Sequence, residues 1–437
     1  MKRLLPYLLL ICALAPPSRG AEPFVRKRTF GGAHLLTASI LATMLPVDGT
    51  GAPSAPPEKL LERIEKFPSG FAASIHGGAE LRRRTMLLAP MQTIRAGEIP
   101  LSVHIEREGF AQKRARRPLV VILPGTYNEH DGPHTRYLTD ILAHQGYHVL
   151  GLPNPMAKSM LSRDLGIQPL EFVKEAQLMR SLIREGIRQI GPENVSEVHL
   201  YGLSYGGFLT KVVDTLDGES RDPILSKPSK VRIVAPPMNF RDAIARMDTL
   251  LDQTEATWRQ SGENSFFHQL SVVTDYFTAP DERSLSDANR KTADAIFAHY
   301  GFRMAAAESL GAYHDTHGLN VISDREAWAR HLRFREAIPR IAPRGWATLQ
   351  RDDLPFMHYW LERGKRTSPE RDIFIVTAAD DFFNGDPGQG ARKARQYLRG
   401  HTDDAWILPA GGHAGFESDP EFQKVIKDWF PLTTPRR

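Results

Sequence analysis

The run PLVVILPG (118–125) sets five consecutive aliphatic residues between two prolines, with no polar residue alternating among them. A strand with one wet face alternates, so this run belongs at the centre of a sheet buried on both sides. Such a sheet needs helices on both faces. The neighbouring sequence supplies them. HTRYLTDILAHQG (134–146) sets Leu138, Ile141 and Leu142 on one helical face and stops at Gly146. A longer helix is expected from about Pro169 to Ile190, where Phe172, Ala176, Met179, Ile183, Ile187 and Ile190 recur at steps of three or four before Gly191-Pro192. Strand-like runs follow at YHVLGLP (147–153), EVHLYG (197–202), KVRIVAPP (230–237), RDIFIVTAADD (371–381) and DAWILPAGGH (404–413), with a closing helix in PEFQKVIKDWF. RTMLLAPMQTI (84–94) and IPLSVHIERE (99–108) read as an antiparallel opening pair. The expected fold is α/β, a mostly parallel central sheet with helices on both faces. The rhythm breaks across 241–365, a stretch rich in helix formers, which reads as a helical cap inserted between two parts of one core, 70–240 and 366–437.

The first residues belong to another function. MKRLLPYLLLICALAPPSRG has a basic start, an apolar run from Leu4 to Leu14 and a small-residue site at Ala13-Leu14-Ala15. That is the pattern of a secretory signal over 1–20, cleaved after Ala15, and it implies export to a periplasmic or extracellular space. Cys12 is the one cysteine in the chain and lies inside this segment, so cleavage leaves a mature protein without disulfide or thiol chemistry. Bulky Ile11 argues against lipidation at Cys12. Within the remaining N-terminal segment, 21–69, residues 25–49 pair a basic cluster with a semi-apolar run that would support weak membrane association, and DGTGAPSAPPE (48–58) reads as a linker. Net charge is +5, partly from LRRR (81–84) and QKRARR (112–117), but no nucleic-acid recognition motif surrounds either cluster. Nucleic acid is therefore not an expected partner.

The chemistry concentrates in SEVHLYGLSYGGFLTKVV (196–213). By itself Gly202-Leu203-Ser204-Tyr205-Gly206 is a G-x-S-x-G match that chance supplies in roughly one chain of this length in six or seven. Its position between a strand and a helix is what gives it weight. A serine on that turn is lifted above the sheet, and Gly202 and Gly206 leave the room that close strand–helix packing demands. The helix start aims backbone N–H groups, including that of Tyr205, at developing negative charge. Serine needs a base, and the base needs an orienter. Asp381, at the end of an apolar strand, is the first choice of acid, with Asp380 second and Asp386 third. His413, carried on a glycine loop after the last strand, is the base. His130 and His134 read as polar rim residues and His144 as a helix-end residue.

With these motifs in the order serine, acid, histidine, the chain resembles the α/β-hydrolase superfamily over roughly 84–430, the cap excepted. The resemblance implies Ser204 as nucleophile, Asp381 as acid and His413 as base. It also makes LPGTYN (123–128) an oxyanion loop, in which Gly125 shapes the turn and the N–H of Thr126 joins that of Tyr205. Pro124 stands where many members of the superfamily have histidine. The activity implied is hydrolysis of a carboxylic ester or related acyl bond of a small molecule, without cofactor or metal. Transfer of the acyl group to another acceptor, aminopeptidase-type hydrolysis and a binding protein that has lost catalysis are the alternatives. Trp258, Phe266, Phe267, Tyr276 and Phe277 in the cap would suit an apolar substrate group or simply fill a core. The sequence assigns neither substrate nor oligomeric state.

Overall fold

The computed structural model describes residues 57–64, 89–108, 113–114, 116–225, 229–259, 287–322, 324–385, 390–401 and 404–432. The segment expected to be an export signal, with Cys12, the 25–49 run, the basic cluster at 81–84, Asp386 and the aromatics Phe266, Phe267, Tyr276 and Phe277 lie outside those residues.

One sheet organises the molecule. Its strands are β1 (Gln92–Ala96), β2 (Ile99–His104), β3 (Arg117–Leu123), β4 (His148–Gly151), β5 (Val195–Leu203), β6 (Lys230–Val234), β7 (Asp372–Ala378) and β8 (Ala405–Leu408). They lie in the order β1-β2-β4-β3-β5-β6-β7-β8. β1 pairs antiparallel with β2, and β2 with β4. The remaining pairs are parallel. A separate antiparallel pair joins Arg107–Glu108 to Lys113–Arg114. The aliphatic run of β3 sits at the centre, as its composition demands. Leu119, Val121 and Leu123 enter one apolar cluster, while Val120 and Ile122 enter the other on the opposite face.

Apart from the single turn Lys158–Leu161, the helices of the first half are α1 (Glu58–Ile64), α2 (Pro133–His144), α3 (Phe172–Ile190) and α4 (Tyr205–Gly218). After β6 come α5 (Phe240–Thr257), α6 (Asp287–Phe297), α7 (Met304–Thr316), α8 (Arg325–His331), α9 (Phe334–Ile341) and α10 (Pro343–Leu349). The last three are α11 (Met357–Thr367), α12 (Gly390–Tyr397) and α13 (Phe422–Trp429). Side chains of α3, α4 and α11 fill the first cluster with the cap residues, and those of α2 and α13 fill the second. α1 falls within the segment expected to be linker and N-terminal extension. It docks instead, because Leu60 is buried in the second cluster and Arg63 pairs with Asp419 at 2.7 Å.

The insertion has a closed neck. Asn239 and Phe356 form an antiparallel bridge, flanked by Phe240 N–H to Pro355 O (2.8 Å) and Met357 N–H to Met238 O (3.0 Å). The neck therefore closes at 356, short of the boundary at 365 that the sequence rhythm suggests. The difference is α11, which buries Met357, Trp360, Leu361 and Gly364 and receives the Thr215 hydroxyl of α4 on Trp360 O at 3.1 Å. Within the cap, buried Asp248 of α5 accepts the N–H groups of Phe334 (2.6 Å) and Arg335 (2.9 Å), capping the start of α9.

The far end of α4 is fixed by charge. Asp217 is fully buried and accepts from Arg180 of α3 at 2.9 Å and from Arg371, just ahead of β7, at 3.2 Å. It also accepts the N–H groups of Ile224 and Leu225 at 2.9 and 3.0 Å. Replacing it with alanine removes the carboxylate that two guanidinium groups and two amides share, which costs about 3–5 kcal/mol. Urea denaturation of Asp217→Ala is expected to show that loss, and Asp217→Asn, which keeps an acceptor, a smaller one.

Candidate active site

Ser204 sits where β5 turns into α4, with φ 56° and ψ −125°. A non-glycine residue in that region costs about 1–3 kcal/mol and persists only where its surroundings hold it there. Here they do. Ser204 N–H donates to Val234 O of β6 at 2.8 Å, and its carbonyl accepts Phe208 N–H at 3.0 Å. The turn closes only because two glycines flank it. A Cβ on Gly202 would overlap Thr210 Oγ1 and the Gly206 carbonyl, and one on Gly206 would overlap the carbonyl oxygens of Leu123 and Pro124.

β7 and β8 deliver the partners. His413 Nε2 lies 2.7 Å from Ser204 Oγ, and His413 Nδ1 lies 3.0 and 3.1 Å from the two oxygens of Asp381. Ser204 and His413 are 2% exposed and Asp381 is fully buried, so the line of contacts runs in a dry environment. The histidine loop bends through positive φ at Gly411 (128°), Gly412 (58°) and Ala414 (65°). Asp380 and Asp381 divide the work between them. Asp381 meets the imidazole, whereas Asp380 accepts Gly412 N–H at 2.8 Å and so holds the loop. Phe383 stands edge-on to the imidazole with centroids 4.3 Å apart. Phe302 of the cap packs edge-on against both Phe382 and Phe383 at 6.1 and 6.0 Å, which puts the cap over the histidine side of the site.

Supports absent from the sequence reading surround these residues. Asn384 donates to Asp381 Oδ2 (3.2 Å) and to Pro236 O (3.1 Å), and accepts Met238 N–H at 2.8 Å. One side chain thereby ties the acid to the neck of the cap. Asn154 donates to Pro124 O at 2.8 Å and receives Met156 N–H at the same distance, bracing the loop beside Ser204. In that loop Gly125 O accepts Asn128 N–H at 3.2 Å. The positive φ of the turn, 64°, falls on Tyr127 and not on Gly125. Gly125 matters for clearance instead, since a Cβ there would press on Ser204 Cβ at 3.3 Å. Gly125 is therefore held against the serine with Thr126 next along the chain, and Tyr205 opens α4, where helix geometry leaves N–H groups without intrahelical acceptors. The signals in sequence were only two asparagines, Asn154 between prolines and Asn384 before a glycine.

The other histidines divide. His144 is exposed and bonds Asp140 O at 2.7 Å, a helix-end residue as expected. His130 and His134 are not rim residues. His130 is 8% exposed, its Nδ1 2.5 Å from Ser102 Oγ. His134 is wholly buried beside Tyr201, and burial pushes its pKa down to about 3, so it stays neutral. Trp258 stacks on His299 at 4.2 Å and is 7% exposed, which makes it cap core and not an open substrate wall.

No family model and no curated protein matches the chain. Solved structures align over most of it at low identity. The acylaminoacyl peptidase of Pyrococcus horikoshii is 11% identical with a TM-score of 0.39, covering 79% of this chain and 41% of that one. Carboxyl esterase 2 of Tuber melanosporum is 14% identical with a TM-score of 0.40, covering 78% and 84%. An esterase of Pyrobaculum calidifontis is 14% identical with a TM-score of 0.39, covering 86% and 100%. The chain thus spans about two fifths of the length of the peptidase it matches. Scores at this level carry no argument about activity. The sheet, the serine elbow and the acid and histidine loops after β7 and β8 define an α/β-hydrolase fold on their own.

A buried carboxyl lies behind the serine. The Tyr205 hydroxyl donates to Glu175 of α3, whose other oxygen accepts Leu170 N–H at 2.8 Å. Burial pushes the Glu175 carboxyl up to about 7, against the opposing pull of those two hydrogen bonds. Between its ordinary value of 4.5 and about 7 the folded protein keeps a proton that the unfolded chain has released. Stability therefore falls as pH rises through that window and levels off above it, by at most about 3 kcal/mol. Urea midpoints at pH 5 and pH 8 should show this slope in the wild type and a flatter one in Glu175→Gln; equal slopes would contradict it.

Proposed function

We propose that this protein is a serine hydrolase that cleaves a carboxylic ester or related acyl bond through an acyl-enzyme. The observation that carries the reading is the continuous contact from Asp381 through His413 to Ser204 on a strained strand-to-helix turn. In the proposed reaction His413 Nε2 takes the Ser204 proton as Oγ attacks the acyl carbon. Asp381 holds the imidazole with Nδ1–H towards it and stabilises the imidazolium. The oxyanion forms against the N–H groups of Tyr205 and Thr126, each donor worth about 3–4 kcal/mol. His413 then passes its proton to the leaving alcohol. A water molecule, deprotonated by the same nitrogen, releases the acid and restores the serine. The substrate is a small acyl compound admitted beneath the cap, and the N-terminal signal pattern supports action outside the cytoplasm.

Turnover of short-chain nitrophenyl esters tests the assignment. Ser204→Ala is expected to fall to the background rate. Asp381→Asn leaves the geometry but offers the wrong tautomer partner, and kcat should drop about 10⁴-fold. Asp380→Ala loses one loop hydrogen bond and should cost roughly tenfold or less. Equal damage at the two aspartates, or turnover retained in Ser204→Ala, would overturn the roles.

A further inference from the structure

A second cluster of chemically capable side chains lies on α11, away from the serine. His358 and Glu362 are four residues apart, so they share one face of the helix. The turn between α12 and β8 brings His401 against them. Its N–H donates to Leu398 O at 2.8 Å, it is 5% exposed, and its Nε2 stands 2.9 Å from Glu362 Oε1. The two imidazole rings are 6.3 Å apart and nearly perpendicular. One nitrogen from each histidine and a Glu362 carboxylate oxygen all lie within 4.8 Å of one another, the only such grouping of three or more His, Cys, Asp or Glu among the described residues.

From this geometry we infer a binding site for a divalent transition-metal ion of the zinc type, held by His358, Glu362 and His401. Two imidazole nitrogens and one carboxylate oxygen are a borderline-soft donor set that suits Zn²⁺ and leaves a fourth position for water. Ligand distances near 2.0–2.2 Å draw the three atoms closer than they stand now. Exposed His358 and the Glu362 side chain, 48% exposed, have the freedom to swing inward, while buried His401 supplies the fixed point. One neighbour opposes the ion. Lys365 donates to Gly400 O at 2.6 Å and sets an ammonium beside the turn. The affinity is therefore expected to be moderate, with Kd on the order of micromolar. No compact sequence motif announces the site, because His401 is nearly forty positions from Glu362 and only the packing of α12 brings it near.

The placement gives the ion a mechanical role. His358 lies two residues beyond Phe356, whose backbone closes the neck of the cap. A bound ion would fasten the root of α11 to the α12–β8 turn and raise the thermal midpoint by mass action. The test uses the full chain, stripped with a chelator and titrated with ZnCl₂ by calorimetry. One saturable equivalent is expected, together with a zinc-dependent rise in Tm. His358→Ala and Glu362→Gln, both at exposed side chains, should weaken binding by roughly tenfold or more and abolish the Tm rise. Ser204→Ala should bind as the wild type does. Absence of saturable binding, or binding unchanged in both variants, overturns the site.

Discussion

The approach of α4 to the centre of the sheet governs the rest of this structure. Gly206 lies so close to the carbonyls of Leu123 and Pro124, and Gly202 so close to Thr210 and Gly206, that no side chain fits at either position. That closeness turns the chain back sharply enough to put Ser204 at φ 56°. The strain is held by the Ser204 hydrogen bond to β6 and by the burial of α4 on both flanks. At the other end Asp217 locks the same helix to α3 and to the approach of β7. A helix fixed at both ends can present a serine and a free N–H to one point in space.

Around that point the loops are held by side chains that do no chemistry themselves. Asn384 ties the acid loop to the neck of the cap, Asn154 braces the loop beside the serine, and Asp380 holds the glycine bend before His413. Each satisfies backbone groups that a buried loop would otherwise leave unpaired. Glu175 accepts the Tyr205 hydroxyl from behind and the N–H of Leu170. The cap enters through Phe302 and the two phenylalanines beside His413, so movement of the cap and the setting of the imidazole are mechanically linked.

Much of this was legible in the sequence because it rests on local pattern. The unbroken aliphatic run of β3, the helical spacing of α3 and the glycines around Ser204 each follow from physics acting over a few residues. Asp381 and His413 could be named because each ends a strand of the same sheet. What was not legible depends on contacts between distant segments. Nothing near Glu175 tells that it faces Tyr205, and nothing near His134 tells that α2 turns it inward. α11 reads as the end of the insertion until its buried face is seen against α4. α1 reads as linker because, among the described residues, only the short pair Leu60 and Leu61 and the Arg63 ion pair tie it to the core.

The central claim is that Ser204 Oγ is the atom that becomes acylated. Peptide mapping by mass spectrometry after reaction with a fluorophosphonate tests it most directly. The account predicts one adduct per chain, carried on the peptide that contains Ser204 and absent when His413 is replaced by alanine. An adduct on any other residue, or none while ester hydrolysis proceeds, would contradict it.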